Sequence, residues 1–408
     1  MKTKLIFFSL FLVILLVPTY GQRYCGSSID LEEIQQTDTA RYQRIMRLEK
    51  QIQAYIDSAQ TSGTSQKQQT IIIPVVVHVV YKYHAENVSD GLINSQIQVL
   101  NEDFQRLNAD GVNTPAAFSG VASGSNIVFK LAKIDPNGND TNGITRTITT
   151  KDGFSHITND VKRNSTGGCS SWNSWGEHRY LNIWVCNFTD PYLMGYATFP
   201  SELKDYPHLD GVVISHKYFG RNSSMPAPYN KGRTTTHEVG HWLSLLHIWG
   251  TDNNCTSSDL VADTPNQYTS TMGCPSFPKT DICTPTSPGI MFMNFMDYTD
   301  DACMNMFTAG QVLRMNAVLD PKTGERKQIL EKAEYLTTPC TTTNFANQTV
   351  NSNQTVSGCD IKVQNVTVSN NSKLIINAQR NITINGPFEV QLGSQLEVKN
   401  SNLKANRE

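Results

Sequence analysis

The 408-residue chain has no run of five or more Lys and Arg, and its 34 basic residues stand against 36 acidic ones, a formal charge of −2. It therefore carries neither the basic stripe that binds nucleic acid nor the polybasic cluster that holds a protein to an acidic membrane surface. Gly (26) and Pro (17) are near their average abundance, which excludes a collagen-like repeat. With 38% apolar residues the chain can build a core, which excludes wholesale disorder. No apolar run reaches the roughly 20 residues needed to cross a bilayer, so no transmembrane segment is expected. There is no Cys-x-x-Cys spacing either, which argues against a four-cysteine zinc site.

The start of the chain reads as an address. Residues 1–21 open with Lys2 and Lys4, continue through the apolar stretch 5–17 and end in Pro18-Thr19-Tyr20-Gly21. That is the pattern of a secretory signal peptide cut before Gln22, the alternative of a membrane anchor being too short. Its loss would leave 32 basic residues against 36 acidic, a charge of −4. The protein is thus expected to be secreted, to the medium or the cell surface, where cysteines pair. Nine cysteines remain, an odd number, so at least one stays unpaired.

Length alone suggests two or three domains. Residues 22–66 are polar and Gln-rich, with Ile34, Tyr42, Ile45, Leu48, Ile52 and Tyr55 at helical spacing, and end in a loop-like Ser-Gly-Thr-Ser-Gln. Residues 67–338 change character. Val- and Ile-rich 71–81 reads as a buried strand, 93–107 as a helix, 127–134, 180–185, 196–199 and 212–215 as further strands, and 233–246 as a helix. This is an α/β (α+β) unit with a twisted mixed sheet. Residues 339–408 alternate apolar and polar in short bursts, with turn signals about every eight residues, as a small all-β module or stacked β-roll would. The bland reading of that tail is stability or attachment.

The chemistry lies in His237-Glu238-Val239-Gly240-His241, followed by His247. On a helix, His237 and His241 sit on one face at i and i+4 and can share one metal ion, with Glu238 placed beside them to take a proton from water. His247 lies six residues beyond His241. On a continuous helix it would point about 120° away, so it joins the set only if the helix stops and the chain turns. No Glu occurs between Glu238 and Glu325, which leaves His247 as the best third ligand.

Further on stands Asn294-Phe295-Met296-Asp297-Tyr298-Thr-Asp300-Asp301-Ala-Cys303-Met. With the His-Glu-x-x-His run, Asp263-Thr264-Pro265 and the spacing of Cys255, Cys274, Cys283 and Cys303, the chain resembles metzincin zinc metalloproteases of the pappalysin family, the bacterial ulilysin-like secreted proteases. The resemblance covers residues 70–338. It implies a zinc-dependent metalloendopeptidase acting on protein or peptide substrates, with His237, His241 and His247 as zinc ligands and Glu238 as general base. It further implies Met296 as an apolar floor under the metal and Tyr298 as an oxyanion stabiliser. It suggests disulfides Cys255–Cys283 and Cys274–Cys303, although sequence alone allows three connectivities for four cysteines. It also suggests a structural calcium held by Asp252, Asp259, Asp263 and Thr264, for which solvated loop acids are the alternative. Asp300 and Asp301 would favour Lys or Arg after the scissile bond. The family has Gly where this chain has Ser244, at the turn toward the third ligand.

Cys25 precedes the catalytic unit within 22–66 and offers a thiolate to the open zinc position, a latency switch released by a cut between 58 and 70. An unpaired terminal cysteine or a disulfide are the alternatives. Cys169–Cys186 and Cys340–Cys359 are then the remaining expected pairs. A reading from another class is a catalytically dead surface-binding protein attached through its β module.

Overall fold

A computed structural model describes residues 24–27, 31–62, 69–172, 178–221, 225, 227–251 and 254–400. The expected signal peptide, Asp252 and the centre of the expected 58–70 cleavage stretch lie outside these residues.

The first described strand is a short one, β1 (Tyr24–Cys25), followed by two helices, α1 (Leu31–Thr37) and α2 (Thr39–Ser62). Strand β2 (Ile71–Tyr81) is β-branched almost throughout and buried from Ile73 to Val80, as a strand covered on both faces must be. It forms the middle of a seven-stranded sheet with β3 (Ile127–Leu131), β4 (Ile144–Ile148), β5 (Leu181–Cys186), β6 (Leu193–Ala197) and β7 (Val212–Ser215). The order is β1-β6-β7-β5-β2-β3, with β4 continuing beside β2. All pairs are parallel except β6 with β7, so the sheet is mixed.

Helix α3 (Asp90–Phe104) begins at Ser89, whose hydroxyl accepts from the Leu92 amide. It presents Ile93, Leu100 and Phe104 to the same core as Val75, Val77 and Ile183. That core also takes in Val239 and Trp242 of α4 (Arg233–Trp242) and Met315 of α5 (Ala309–Val318). Leu48 and Ile52 of α2 belong to it too, at 5% and 1% exposure.

The tail forms a separate sheet of β8 (Thr342–Val350), β9 (Gln354–Val368), β10 (Lys373–Val390) and β11 (Gln395–Asn400), in that order and all parallel. Successive turns stack like on like: Val350 on Val368 on Val390, and Val356 on Ile376 on Val398. A parallel stack rather than a meander brings the alternating apolar residues into columns, buried at Val350, Val368, Val356 and Ile376 and exposed at Val390 and Val398.

The cysteine pairing departs from expectation at one pair. Cys255 is bonded to Cys283, Cys274 to Cys303 and Cys340 to Cys359, with Cα separations of 5.1, 5.7 and 5.4 Å. The expected Cys169–Cys186 bond is not made, and both are free thiols. Cys186 lies deep among Trp184, Val213 and Phe188, where burial pushes its thiol up. Cys169 turns instead to His78, its sulfur 3.5 Å from Nδ1 and 3.7 Å from the Thr145 hydroxyl. The other ring nitrogen of His78 faces the Asn182 amide oxygen at 3.0 Å. Burial works against the Cys169 thiolate, but the hydrogen bond and charge of His78, with Thr145 and Thr147, bring the thiol down to about 7. Iodoacetamide labelling of Cys169 should therefore rise as pH passes through about 7, while Cys186 stays unlabelled until denaturation. Peptide mass mapping checks this, and a Cys169–Cys186 cross-link in the map would contradict it.

Candidate active site

Helix α4 is buried along all ten residues and is clamped at both ends. At its start the backbone turns at Gly232, φ +81°, and the Asp301 carboxylate accepts from the amides of Lys231 (2.7 Å) and Arg233 (3.5 Å), a negative charge at a helix N-terminus. The Arg233 guanidinium forks onto Asp110 at 2.7 and 2.6 Å. At the far end, Arg326 donates to Asp210 (2.6 Å) and to the Trp242 carbonyl (2.7 Å), and lies 4.0 Å over the Trp242 ring. A helix held this way fixes whatever side chains it carries.

Those side chains are His237 and His241, one turn apart. Nδ1 of His237 meets the Phe295 carbonyl at 2.8 Å and Nδ1 of His241 the Leu245 carbonyl at 2.7 Å. A carbonyl only accepts, so each Nδ1 carries the proton and each Nε2 a bare lone pair. Nε2 of His241 lies 3.1 Å from Nε2 of His237 and 3.1 Å from Nε2 of His247. Burial keeps all three imidazoles neutral, His237 down at about 4 and the others well below their ordinary value. Lone pairs converging at that spacing repel one another unless a cation lies among them, and neutral imidazoles are what such a cation requires.

His247 reaches the set because the helix ends at Trp242, four residues before the end expected from sequence. The Leu245 amide returns to the Gly240 carbonyl (2.9 Å), and Ser244 takes φ +75°. A left-handed serine costs on the order of 1 kcal/mol. Arg314 braces that residue, donating to the Ser244 carbonyl at 3.4 and 3.3 Å while it forks onto Glu49 of α2 at 2.9 and 2.8 Å. Beyond the turn, the Trp249 indole stacks flat on the His247 ring, 4.3 Å between centroids and 9° between planes.

Met296 is fully buried directly beneath the helix. A Cβ on Gly240 would lie 2.5 Å from its sulfur, so only glycine lets the helix settle on this floor. The tight turn is held by Asn294, whose amide oxygen accepts from the Met296 amide at 2.9 Å and whose side chain pairs with Gln311. Asp297 accepts from the Thr271 and Tyr298 amides at 2.7 and 2.8 Å. The Tyr298 ring stands 5.7 Å from His237 and 5.1 Å from His247.

Glu238 is completely buried, with one carboxylate oxygen accepting from the Ser27 hydroxyl at 3.1 Å and Oε1 without a partner. Burial raises it to about 8 against the hydrogen bonds of Cys25 and Ser27. Cys25 comes from β1, which runs parallel along the edge strand β6 with Cys25 opposite Gly195. Its sulfur and the three imidazole nitrogens lie within 4.8 Å of one another, the one cluster of this kind among the described residues. Its backbone N–H donates to the Tyr298 hydroxyl at 3.3 Å.

The other expected residues are placed less centrally. Asp301 lines a cavity beside His237 and Glu238, whereas Asp300 does not line it. Asp259 is buried, raised to about 7 by that burial, and accepts the Thr264 hydroxyl at 2.8 and 2.9 Å. Asp263 accepts from the Gly310 amide with Oδ2, while its Oδ1 is buried without a partner. Sequence reasoning did not single out Arg233, Ser27, Trp249, Asp297 or Arg314. Only Asp297, inside the quoted motif, carried any signal.

A helix with two such imidazoles, a third brought in by a turn and a methionine below them define a metalloendopeptidase of metzincin architecture. The comparisons agree and place it more narrowly. The family model described as pregnancy-associated plasma protein-A matches residues 170–320. An extracellular metalloprotease of Verticillium alfalfae is 30% identical over 267 residues, 63% of this chain and 78% of its own length. One of Arthroderma benhamiae is 28% identical over 251 residues, 60% of this chain and 76% of its own. Among solved structures, a mutant of Tannerella forsythia promirolysin is 55% identical, covering 78% of this chain and all of its own, with TM-score 0.72. Mature mirolysin of Tannerella forsythia in complex with a cleaved peptide is 59% identical, covering 67% of this chain and all of its own, with TM-score 0.65. The chain belongs to the pappalysin family of metalloproteases.

Proposed function

We propose that the protein is a secreted zinc endopeptidase made as a latent precursor, with His237, His241 and His247 holding the metal. The observation that carries this is the convergence of three imidazoles, Nε2 of His241 lying 3.1 Å from those of His237 and His247, with the outer nitrogens of His237 and His241 spent on carbonyls. Zinc held by three imidazoles would supply Lewis acidity toward a water and a peptide carbonyl. Glu238 takes the proton of the attacking water at its unpartnered Oε1 and hands it to the leaving amine. Tyr298 donates its hydroxyl to the developing oxyanion once Cys25 has left it.

On this reading residues 1–21 direct export, 22–66 keep the enzyme latent, 67–338 catalyse, and 339–408 form an accessory β module. Export is supported by the relatives being named extracellular and by no described helix being long and apolar enough to cross a membrane. Latency is supported by β1 lying along the edge of the cleft with Cys25 at the imidazoles. The promirolysin chain covers 78% of this protein and the mature mirolysin chain 67%, and that difference equals the share of residues 22–66. Asp301 in the cavity beside Glu238 supports Lys or Arg after the cut, since the proton from Glu238 goes to the amine of the downstream product. The orphaned Oδ1 of Asp263 supports a structural calcium.

The test is a peptide library digested by the mature enzyme with metal analysis of the same sample. One zinc per chain, cleavage abolished by a chelator and restored by zinc, is expected. Metal-free protein that still cleaves would refute the reading.

A further inference from the structure

The active-site cleft has a second cavity, lined by His241 and His247 where the cavity with Asp301 is lined by His237, Tyr298 bordering both. Its volume is about 190 Å³. Phe199, Leu246 and Trp249 form its apolar wall beside His241 and His247, Ser27 of the N-terminal segment, Thr251 and Tyr298 add hydroxyls, and no Asp, Glu, Lys or Arg lines it among the described residues. The cavity on the other side holds Glu238, Asp297, Asp301 and Arg233. The two ends of the cleft therefore differ in charge, the ionisable side chains standing at the Glu238 end and an uncharged wall at the other.

Glu238 fixes which end is which. It delivers its proton to the leaving amine, so the downstream half of a substrate lies on its side and the upstream half lies over Phe199, Leu246 and Trp249. Resting on the metalloendopeptidase reading above, we propose that this cavity is an apolar subsite for a bulky aliphatic or aromatic residue upstream of the scissile bond, with Phe199, Leu246 and Trp249 setting the preference.

The chain itself shows what this surface accepts. In the described form Ile34 of α1 and Ile45 of α2 lie on Phe199 and Leu246, flanked by Leu31 and Tyr42. Phe199 and Leu246 are 6% and 9% exposed with that cover in place. Loss of residues 22–66, the segment read above as keeping the enzyme latent, removes it and opens an apolar patch directly beside the metal ligands, the Phe199 ring being 5.3 Å from His241. Trp249 cannot swing aside to close the gap, because it is stacked on His247 and meets Tyr298 edge-on at 4.8 Å. A rigid aromatic wall with a filled apolar neighbour is the anatomy of a side-chain pocket.

The experiment compares kcat/KM of the mature enzyme on peptides identical except for one upstream residue, varied in turn among Leu, Phe, Gly and Asp at each of the two positions before the cut. At one position Leu or Phe should exceed Gly and Asp by about tenfold or more, the range that apolar side-chain pockets reach. Leu246→Lys should collapse that ratio and raise cleavage of the Asp peptide relative to the Leu peptide, whereas Leu246→Met should keep the wild-type order. Ratios are read within each enzyme, so a general loss of activity does not enter them. A flat wild-type series at both positions overturns the subsite and leaves the peptidase reading intact, and it decides the matter whether or not a variant folds. Failure to cleave any peptide with zinc bound overturns the peptidase reading instead.

Discussion

Replacing Glu238 by Gln should leave zinc in place and lower proteolysis by about two to four orders of magnitude, the range of general acid–base catalysis. Gln has nearly the same shape and can still accept the Ser27 hydroxyl that now reaches the carboxylate at 3.1 Å. It cannot take a proton. Phe295 and Leu245 fix the outer nitrogens of His237 and His241, and the Trp249 indole holds the His247 ring, all independently of this carboxylate, so metal content should be unchanged. Metal analysis and hydrolysis of a fluorogenic peptide on the same preparation check both halves. Cleavage near the wild-type rate would remove Glu238 from the chemistry, and loss of zinc would make its role structural.

The second large effect concerns latency. Cys25→Ser should give a precursor that cleaves peptide before any maturation cut, about tenfold or more above the wild-type precursor, since each 1.4 kcal/mol of lost ligation is a factor of ten. A serine hydroxyl is a far poorer metal ligand than a thiolate. The leak should still fall short of mature activity. The Gly26 amide keeps its bond to the Gly195 carbonyl (2.8 Å) and the Tyr24 amide its bond to the Tyr192 carbonyl (3.1 Å), so the strand continues to obstruct the cleft. A Cys25→Ser precursor as silent as wild type would mean that obstruction alone maintains latency. Activity equal to the mature enzyme would mean that the thiol does everything.

The parts of this molecule that were legible in sequence are those whose signal is local. The central strand 71–81 declares itself by an unbroken run of branched apolar residues, and α4 by two histidines at helical spacing. The alternation in the tail was visible too, since like residues stack in its parallel register. What escaped depends on partners far away in the chain. Strand β1 is two residues long and exists because the edge of β6 is there to pair with. Strand β6 runs from Leu193 to Ala197, rather than over 196–199, because its register is set by the antiparallel ladder with β7. Strand β4, absent from the sequence reading, is ordered by lying against β2. Cys169 could not be assigned from spacing because its partner is an imidazole 91 residues upstream. The serine in a position that favours glycine is tolerated through Arg314, itself tied to Glu49. Nothing near Ser244 in the sequence announces that support.

Leu48 and Ile52 have a consequence for the life history of the molecule. They sit in the same core as Trp242 and Met296, so the helix that carries them is a structural member of the catalytic unit as well as a cover. On the proposal that residues 22–66 are removed at maturation, the enzyme would discard part of the scaffold on which it was assembled. On that proposal activation would be a one-way passage, and a mature chain that unfolds would have to find its way back without the template that first shaped it.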